Sequence, residues 1–356
     1  MKSQASKISS KTAASIFIAW LFLSGGLVFS ANTDLTEAEK TEKRLQFNRY
    51  VEQQLAEIQK EKVAKKKRWN FNFTGHWGYD TNVKLNNQRK GDAFHRENLD
   101  ASWIDDHEGV GPDQYGVRVY LEYTDYFKKD PFDSQQTIVS PFLKFNFTNT
   151  LSLKTEYNFR YSRYIHNNPL TYYGHGAKVT LTDTHWNNMM QSLYGSFERK
   201  GFSVRKALTD AGVNGDDERA DFYDELGYGM NIFPDKRSVI GAIAAAKFND
   251  SNDIYFDYND YRGYKVTGFM YRELSKPLTW VLTGGYDYKR YDNRAFAAGS
   301  SAVERDYFYY LGNYFYYTIH PNAQIVVSYL YSQNFSNDRA QEYFSHVWTT
   351  GLSLTF

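Results

Sequence analysis

The residues of this chain that could do chemistry are its histidines and its clustered acids. The chain has eight histidines, and none lies in a compact run with a serine and an acid or amide. A serine hydrolase needs those groups within hydrogen-bond reach of one another. His175 and His346 each stand alone within a segment rich in aromatic residues, which favours a packing role. The sequence therefore predicts no catalytic residue, and a membrane-embedded enzyme stays the least favoured hypothesis.

Three groups of acids lie close together in sequence, namely Asp105-Asp106, Asp216-Asp217 and Asp221 with Asp224-Glu225. We interpret Asp216-Asp217 as part of a solvated loop rather than an acid/base pair. The chain has no cysteine, and its histidines are not spaced as transition-metal ligands. No glycine-rich phosphate loop follows a strand and opens a helix. We therefore expect no metal and no cofactor.

The elements that carry these residues alternate with a period of two from Arg68 onward. Odd positions from Trp69 to Tyr79 are mostly aromatic, and the even positions between them are polar or small. Successive side chains of a strand point to opposite faces, so this pattern predicts one apolar and one polar face. Similar segments of about 10–14 residues recur to the end of the chain, near the length that a tilted strand needs to cross a bilayer.

Composition agrees with strands that cross a membrane. Mean hydropathy is −0.64, yet 18% of the residues are aromatic. A transmembrane barrel averages to a polar composition because lipid-facing and lumen-facing residues alternate. A net charge of +1 gives no reason to expect nucleic acid as a partner. The alternative, a secreted β-sandwich, explains less well the aromatic residues that gather toward strand ends, as in 307–317.

Charged side chains on the polar face are predicted to line the lumen of the barrel. A Lys or Arg facing lipid at the bilayer midplane costs roughly 2–4 kcal/mol, so these residues must point inward. Their signs are mixed, which allows either pairing that fills the lumen or a water channel with little charge selectivity. The predicted lumen-lining residues are Arg118, Glu122, Lys144, Lys154, Glu156, Arg160, Lys178, Asp221, Glu225, Lys265, Asp287 and Lys289.

The last strand carries a pattern typical of a terminal insertion signal. Trp348, Leu352, Leu354 and Phe356 share one parity, and the other parity is small or polar. A strand of this kind ending in an aromatic residue resembles the C-terminal signal of bacterial outer-membrane β-barrels. That resemblance implies outer-membrane lipid and the barrel assembly machinery as partners. It also implies a Gram-negative outer membrane as the location.

The alternation of short and long connections sets the number of strands. Outer-membrane barrels have short periplasmic turns and longer outer loops. Counting back from Phe356 gives an all-β, transmembrane, antiparallel up-and-down barrel of about 14 strands, within a range of roughly 12–16. This count requires that 94–104 is a strand and that 188–207 is one strand with a β-bulge near Lys200-Gly201.

The segments before the barrel differ in kind. Residues 1–30 combine a basic start with an apolar run and a plausible cleavage site, which predicts a signal peptide. Residues 31–67 contain a stretch rich in Glu, Gln, Lys and Ala with acids leading and bases trailing, which predicts a short periplasmic α-helix. The barrel itself is assigned to 68–356. The helix could be a linker, a plug, or a site of self-association or of a periplasmic partner through 34–67.

The segment Gly78-Tyr-Asp-Thr-Asn-Val83 follows the predicted first strand. It resembles a segment near the first strand of the barrels of surface lipoprotein assembly modifiers and of barrels near polysaccharide export systems. Those families carry helical repeats before the barrel, whereas this chain has one predicted helix. Asp and Asn also favour turns through side-chain bonds to nearby backbone, so we favour a loop start over a calcium or ligand site here.

These observations predict a porin-like outer-membrane channel that passes small hydrophilic solutes or oligosaccharides with little charge selectivity. The first alternative is a non-transporting barrel that anchors or assists a surface or envelope assembly through its N-terminal helix. The second alternative is an outer-membrane enzyme.

Overall fold

The structure is a computed structural model that describes residues 68–85, 90–106, 111–128, 132–165, 171–186, 188–209, 214–253, 259–295 and 302–356. The predicted signal peptide (1–30) and the predicted periplasmic helix (31–67) lie outside the described residues. None of the described residues forms a helix long and apolar enough to cross a membrane.

The described residues form fourteen β-strands, each antiparallel to its neighbours in sequence, and the last pairs with the first to close a barrel. The predicted fold class is confirmed. The strands are β1 (Trp69–Asp80), β2 (Asp92–Asp106), β3 (Gln114–Tyr126), β4 (Ser134–Asn146), β5 (Leu151–Tyr164), β6 (Tyr172–Trp186), β7 (Met189–Leu208), β8 (Asn214–Asp235), β9 (Ser238–Ser251), β10 (Tyr261–Glu273), β11 (Leu278–Ala295), β12 (Val303–His320), β13 (Ala323–Ser336) and β14 (Tyr343–Thr355).

The two strands whose prediction rested on weak patterns are both present. Strand β2 covers the poorly patterned 94–104 and pairs with β1 from Trp69 to Asp80. Strand β7 runs through the phase slip, and its register with β8 is irregular between Gly201 and Lys206. A β-bulge adds a residue to one strand, so the apolar parity changes across it. The irregularity lies between Gly201 and Lys206, next to the position predicted for the bulge.

Connections alternate between the two ends of the barrel. One end carries the short turns 147–150, 187–188, 236–237, 274–277 and 321–322, together with the longer connection 107–113. The other end carries longer connections, and several strands extend into them. Strand β8 begins at Asn214, so Asp216 and Asp217, which were expected in a solvated loop, lie on a strand instead. Short turns mark the periplasmic end, and the opposite end is the outer end.

Closure of the barrel is made at the chain terminus. The amide of Phe71 donates to the Phe356 carbonyl at 3.2 Å, and the amide of Phe356 donates to the Phe71 carbonyl at 2.9 Å. The β1–β14 ladder continues from Asn72 to Asp80. Because closure leaves no unpaired strand edge, backbone groups are satisfied within the sheet, as a spanning structure in lipid requires.

Aromatic residues form two belts on the outside of the barrel. On β12, Tyr307 belongs to one belt and Tyr317 to the other. The two lie about ten residues apart along the strand. With a rise of about 3.3 Å per residue and a tilt of about 45°, the belts are separated by about 23 Å along the barrel axis. An apolar band of about 25 Å is expected in the outer membrane. Ring contacts of 5.0–5.8 Å connect the outer belt along Tyr264, Tyr286, Tyr288, Tyr307, Tyr309 and Phe335.

On the inner face, aromatic rings lie over glycines of the neighbouring strand. Tyr310 is the direct partner of Gly285, and a Cβ at Gly285 would lie less than 3.0 Å from the Tyr310 ring. The same arrangement recurs in other pairs. In each, the aromatic ring lies against the inner surface of the sheet, over the glycine, and does not project across the lumen. These further pairs are Gly78 with Phe94, Gly116 with Phe142, Gly227 with Tyr194, and Gly241 with Phe269.

We expect Gly285→Ala to destabilise the barrel by about 1–3 kcal/mol, because the added methyl group must displace the Tyr310 ring. Gly284→Ala is the matched control, since the nearest atom to its Cβ lies at an ordinary 3.5 Å. Urea unfolding in detergent or liposomes measures both variants. Equal effects at the two glycines would contradict a packing role for the ring.

Candidate functional site

The structure places all twelve predicted lumen residues on the inner face of their strands. On β3, for example, Tyr120 and Glu122 are buried while Leu121 and Tyr123 are exposed, so even positions point inward. The same parity holds on β5, where Lys154 faces inward and Tyr164, at the outer end of the strand, is 1% exposed. The members of the set are Arg118, Glu122, Lys144, Lys154, Glu156, Arg160, Lys178, Asp221, Glu225, Lys265, Asp287 and Lys289.

Many of these charges are paired along the wall. Arg118 donates from Nε to Asp100 Oδ1 at 2.8 Å, linking β3 to β2. Arg160 Nη1 lies 3.1 Å from Glu198 Oε1, which links β5 to β7 across β6. A contact that skips a strand is possible only on the concave side of a curved sheet. The inner face is therefore a network of ion pairs rather than a ring of one sign.

Glu225 is the centre of the densest part of this network. The Tyr194 and Tyr223 hydroxyls donate to its two carboxylate oxygens at 2.5 and 2.6 Å. Lys265 Nζ, from β10, lies 2.7 Å from Glu225 Oε2. Lys247 pairs with Asp287 beside it. Charge-assisted hydrogen bonds of this kind are stronger than neutral ones and set the geometry of the side chains that they join.

Toward the outer end the paired charges are fully buried. Arg219 makes two bonds to Asp221, at 2.9 and 2.7 Å, and the Ser251 hydroxyl donates to the same carboxylate at 2.7 Å. Arg294 Nε lies 2.8 Å from Glu304 Oε2, with side chains 1% and 0% exposed. Little water reaches this end of the wall.

The first outer loop is fastened inside the outer mouth. Asp80 accepts from the Ser345 hydroxyl at 2.6 Å and from the Asn82 amide at 2.9 Å. The Asn82 side chain donates to the Phe344 carbonyl at 3.0 Å. Beyond this turn, Val83 and Leu85 are 3% and 2% exposed and belong to the buried apolar cluster of the barrel. The Asp-Thr-Asn segment thus works as the turn that directs the loop inward, and we call Asp80, Asn82 and Ser345 the latch.

The lumen is asymmetric. The apolar cluster joins Val83 and Leu85 to inner residues of β9–β14. Among these are Phe269, Val281 and Leu330, which are 7%, 1% and 5% exposed. The charged wall of β3–β8 stays partly open, since the side chains of Lys154 and Glu156 on β5 are 36% and 22% exposed. The side of the lumen lined by these charged residues is therefore the side that is exposed to solvent.

Several inner charges were missed at the level of sequence. Asp100, Glu198 and Lys247 share the inward parity of their strands, so the alternation alone was sufficient to find them. The inward orientation of Arg294 could not be assigned from the sequence, for a physical reason. The β11–β12 register shifts between Arg290 and Ala295, which breaks the parity on which the assignment depends.

The residues of the predicted insertion signal lie on the outer face of β14. Trp348, Leu352 and Phe356 are 47%, 39% and 55% exposed, and Leu354 is half-buried on the same face. They are positioned to contact lipid. Their role in assembly stays a prediction.

The histidines named above pack in the outer aromatic belt. His346 Nδ1 is 2.8 Å from the Tyr329 hydroxyl and its ring contacts Trp348, while His175 contacts Tyr157 and Phe159. Within the described ranges, no three His, Cys, Asp or Glu side chains are arranged to hold a metal ion. The absence of catalytic residues stays a prediction.

One loop carboxyl at the outer end has a shifted pKa. Asp338 follows β13, and its Oδ1 accepts from the Ala340 amide at 2.9 Å. Burial raises the pKa of Asp338 to about 6, against the opposing effects of the Ala340 amide, Gln341 and Arg294. This carboxyl therefore changes charge close to neutral pH.

No protein-family model matches this chain, and no curated protein sequence matches it. Solved structures match over most of its length. OmpT of Vibrio cholerae is 11% identical, covering 83% of this chain and 100% of its own, with a TM-score of 0.43. A TodX monoaromatic hydrocarbon channel mutant is 8% identical, covering 81% and 90%, also with a TM-score of 0.43. A Pseudomonas aeruginosa FadL homologue is 8% identical, covering 82% and 90%, with a TM-score of 0.42.

Similarity at this level transfers no activity to the chain. The closed fourteen-strand sheet of the described residues, with its two aromatic belts, decides the class by itself. The fold is that of an outer-membrane β-barrel. Its exposed apolar band assigns it to the outer membrane as an integral protein.

Proposed function

We propose that this barrel is an outer-membrane channel for small hydrophilic solutes, oligosaccharides included. The observation that carries the proposal is the partly open charged wall of β3–β8, where ion pairs and tyrosine hydroxyls face the lumen. Sugars and other hydrophilic solutes are bound by side chains of this kind, which exchange hydrogen bonds with them as water is displaced. Near balance of the two signs keeps the barrier low for uncharged solutes.

The start of the first outer loop, residues 81–85, is the gate of this channel. Val83 and Leu85 occupy the outer mouth, whereas the charged wall is partly exposed farther in. Passage requires the loop to leave that position, and the Asp80–Ser345 hydrogen bond holds it there. Export by the predicted signal peptide belongs to the same proposal.

Single-channel recording of the folded protein in a planar bilayer tests the function. We expect ohmic current steps from the wild-type protein and a larger fraction of open time from Asp80→Ala, which removes the acceptor of the latch. Asp250→Ala is the charge-matched control, because Asp250 is exposed on the outside of β9. Silence from both the folded wild-type protein and Asp80→Ala would overturn the proposal.

A further inference from the structure

Three lysines lie together on the inner face of β4–β6, on the open side of the lumen. Lys144 and Lys154 are direct cross-strand partners, and Lys178 is the direct partner of Glu156. We call Lys144, Lys154 and Lys178 the lysine cluster. Glu156 is the carboxylate set among them.

Like charges directly opposite each other in a sheet are destabilising, so the Lys144–Lys154 pairing runs against stability. Local contacts offset only part of this repulsion. Lys154 Nζ lies 2.7 Å from Glu156 Oε2 and 4.6 Å from the centre of the Phe142 ring. Lys178 Nζ lies 4.6 Å from the centre of the Tyr194 ring.

Within the cluster itself, positive charge exceeds negative charge. Of its three lysines, only Lys154 forms an ion pair among the described residues. Of the acids on neighbouring strands, Glu198 is bound to Arg160 and Glu225 to Lys265, while Asp106, two strands from Lys144, accepts from Gln114. Counted over Lys144, Lys154, Lys178 and Glu156 alone, the cluster carries a charge of +2, as 3 − 1 gives.

Solutes in the lumen can reach this charge. The Lys154 and Glu156 side chains are 36% and 22% exposed, and Lys144 is half-buried on the same face. Thr180 is the cross-strand partner of Lys154, and Ser196 is the partner of Lys178. Their hydroxyls border the cluster on the side away from β4.

We infer that the lysine cluster is an anion-binding subsite of the lumen, an inference that rests on the proposed channel function. It would select hydrophilic solutes that carry a carboxylate or phosphoryl group, with Thr180 and Ser196 as hydrogen-bond partners for neighbouring solute hydroxyls. A cationic patch in a low-dielectric groove concentrates anions and raises their rate of entry. The lumen as a whole has mixed charge, but its accessible side favours anions at this height.

The reversal potential in a KCl gradient tests this selectivity. One unit charge at about 10 Å in water changes the local anion concentration about twofold. We therefore expect Lys144→Gln and Lys178→Gln each to lower the anion-to-cation permeability ratio about twofold. Lys276→Gln is the matched control, since Lys276 is exposed in the periplasmic turn 274–277. An unchanged ratio in a conducting Lys144→Gln/Lys178→Gln double variant would overturn the subsite.

Calorimetric titration of the folded barrel with citrate or inorganic phosphate separates the subsite from the channel. We expect binding that weakens severalfold in Lys144→Gln and is unchanged in Lys276→Gln. If the wild-type protein is silent in bilayers but binds citrate through Lys144, the channel function fails and the subsite stands. If the protein conducts but neither binds these anions nor favours chloride, the subsite fails and the channel stands.

Discussion

Arg219→Met is expected to destabilise the barrel by about 3–5 kcal/mol, because it leaves the buried Asp221 carboxylate without its counter-ion. Arg219 is 1% exposed, bonds Asp221 twice, and lies with Cζ 5.0 Å from the centre of the Phe202 ring. After the substitution, the Ser251 hydroxyl still donates to the carboxylate. Urea unfolding of the protein folded into liposomes measures the loss.

Two further variants show whether the loss of stability comes from the missing charge or from the missing packing of the arginine. Arg199→Met removes the same charge from the exposed outer face of β7, where the guanidinium lies 5.8 Å from the Phe222 ring, and should change stability little. Arg219→Met combined with Asp221→Leu removes the whole buried pair and should recover most of the stability. A double variant as unstable as Arg219→Met alone would show that packing of the arginine, and not its charge, was lost.

Phe356→Ser is expected to reduce the amount of assembled barrel in the outer membrane severalfold. The Phe356 side chain is 55% exposed to lipid, while its backbone closes the barrel through the two bonds to Phe71. Serine keeps those backbone bonds. A loss of assembly would therefore report recognition of the terminal ring during insertion rather than failure of closure. Heat-modifiable migration of the membrane fraction measures the assembled protein.

Ile319→Ser is the matched control for the terminal residue. Ile319 is 53% exposed on the outer face at the periplasmic end of β12, so its loss removes similar apolar contact with lipid. We expect near-normal assembly of this variant. Normal assembly of Phe356→Ser would remove the case for an insertion signal, and an equal defect in Ile319→Ser would reduce it to a general need for apolar surface.

The sequence alone shows which side chains face lipid and which face the lumen, because side-chain alternation is a property of a single strand. Leu121 and Glu122 lie on opposite faces whatever their neighbours are. The strand count followed from the same local pattern together with the lengths of the connections. Even the weakly patterned β2 was required by closure, since an up-and-down barrel with both ends periplasmic needs an even number of strands.

The period-two alternation failed to assign side chains to a face where the strand backbone is irregular. Arg294 and the outer part of β7 follow register shifts, so their parity could not be extended from the strand before them. The hairpin formed by β7 and β8 was interpreted as a loop because Asn214 to Glu218 is polar on both faces. Outside the apolar band there is no lipid to enforce alternation, and the sequence signal ends with it.

The sequence by itself determined the class of fold, the lipid-facing surface and the set of charges that point inward. Only the tertiary structure decided which of those charges pair, which side of the lumen is filled, and where positive charge is left over. The Asp80–Ser345 latch joins residues 265 apart in sequence, and the Lys144–Lys154 pairing depends on the register between β4 and β5. Register and loop placement are set by contacts among all the strands at once, so no single segment encodes them.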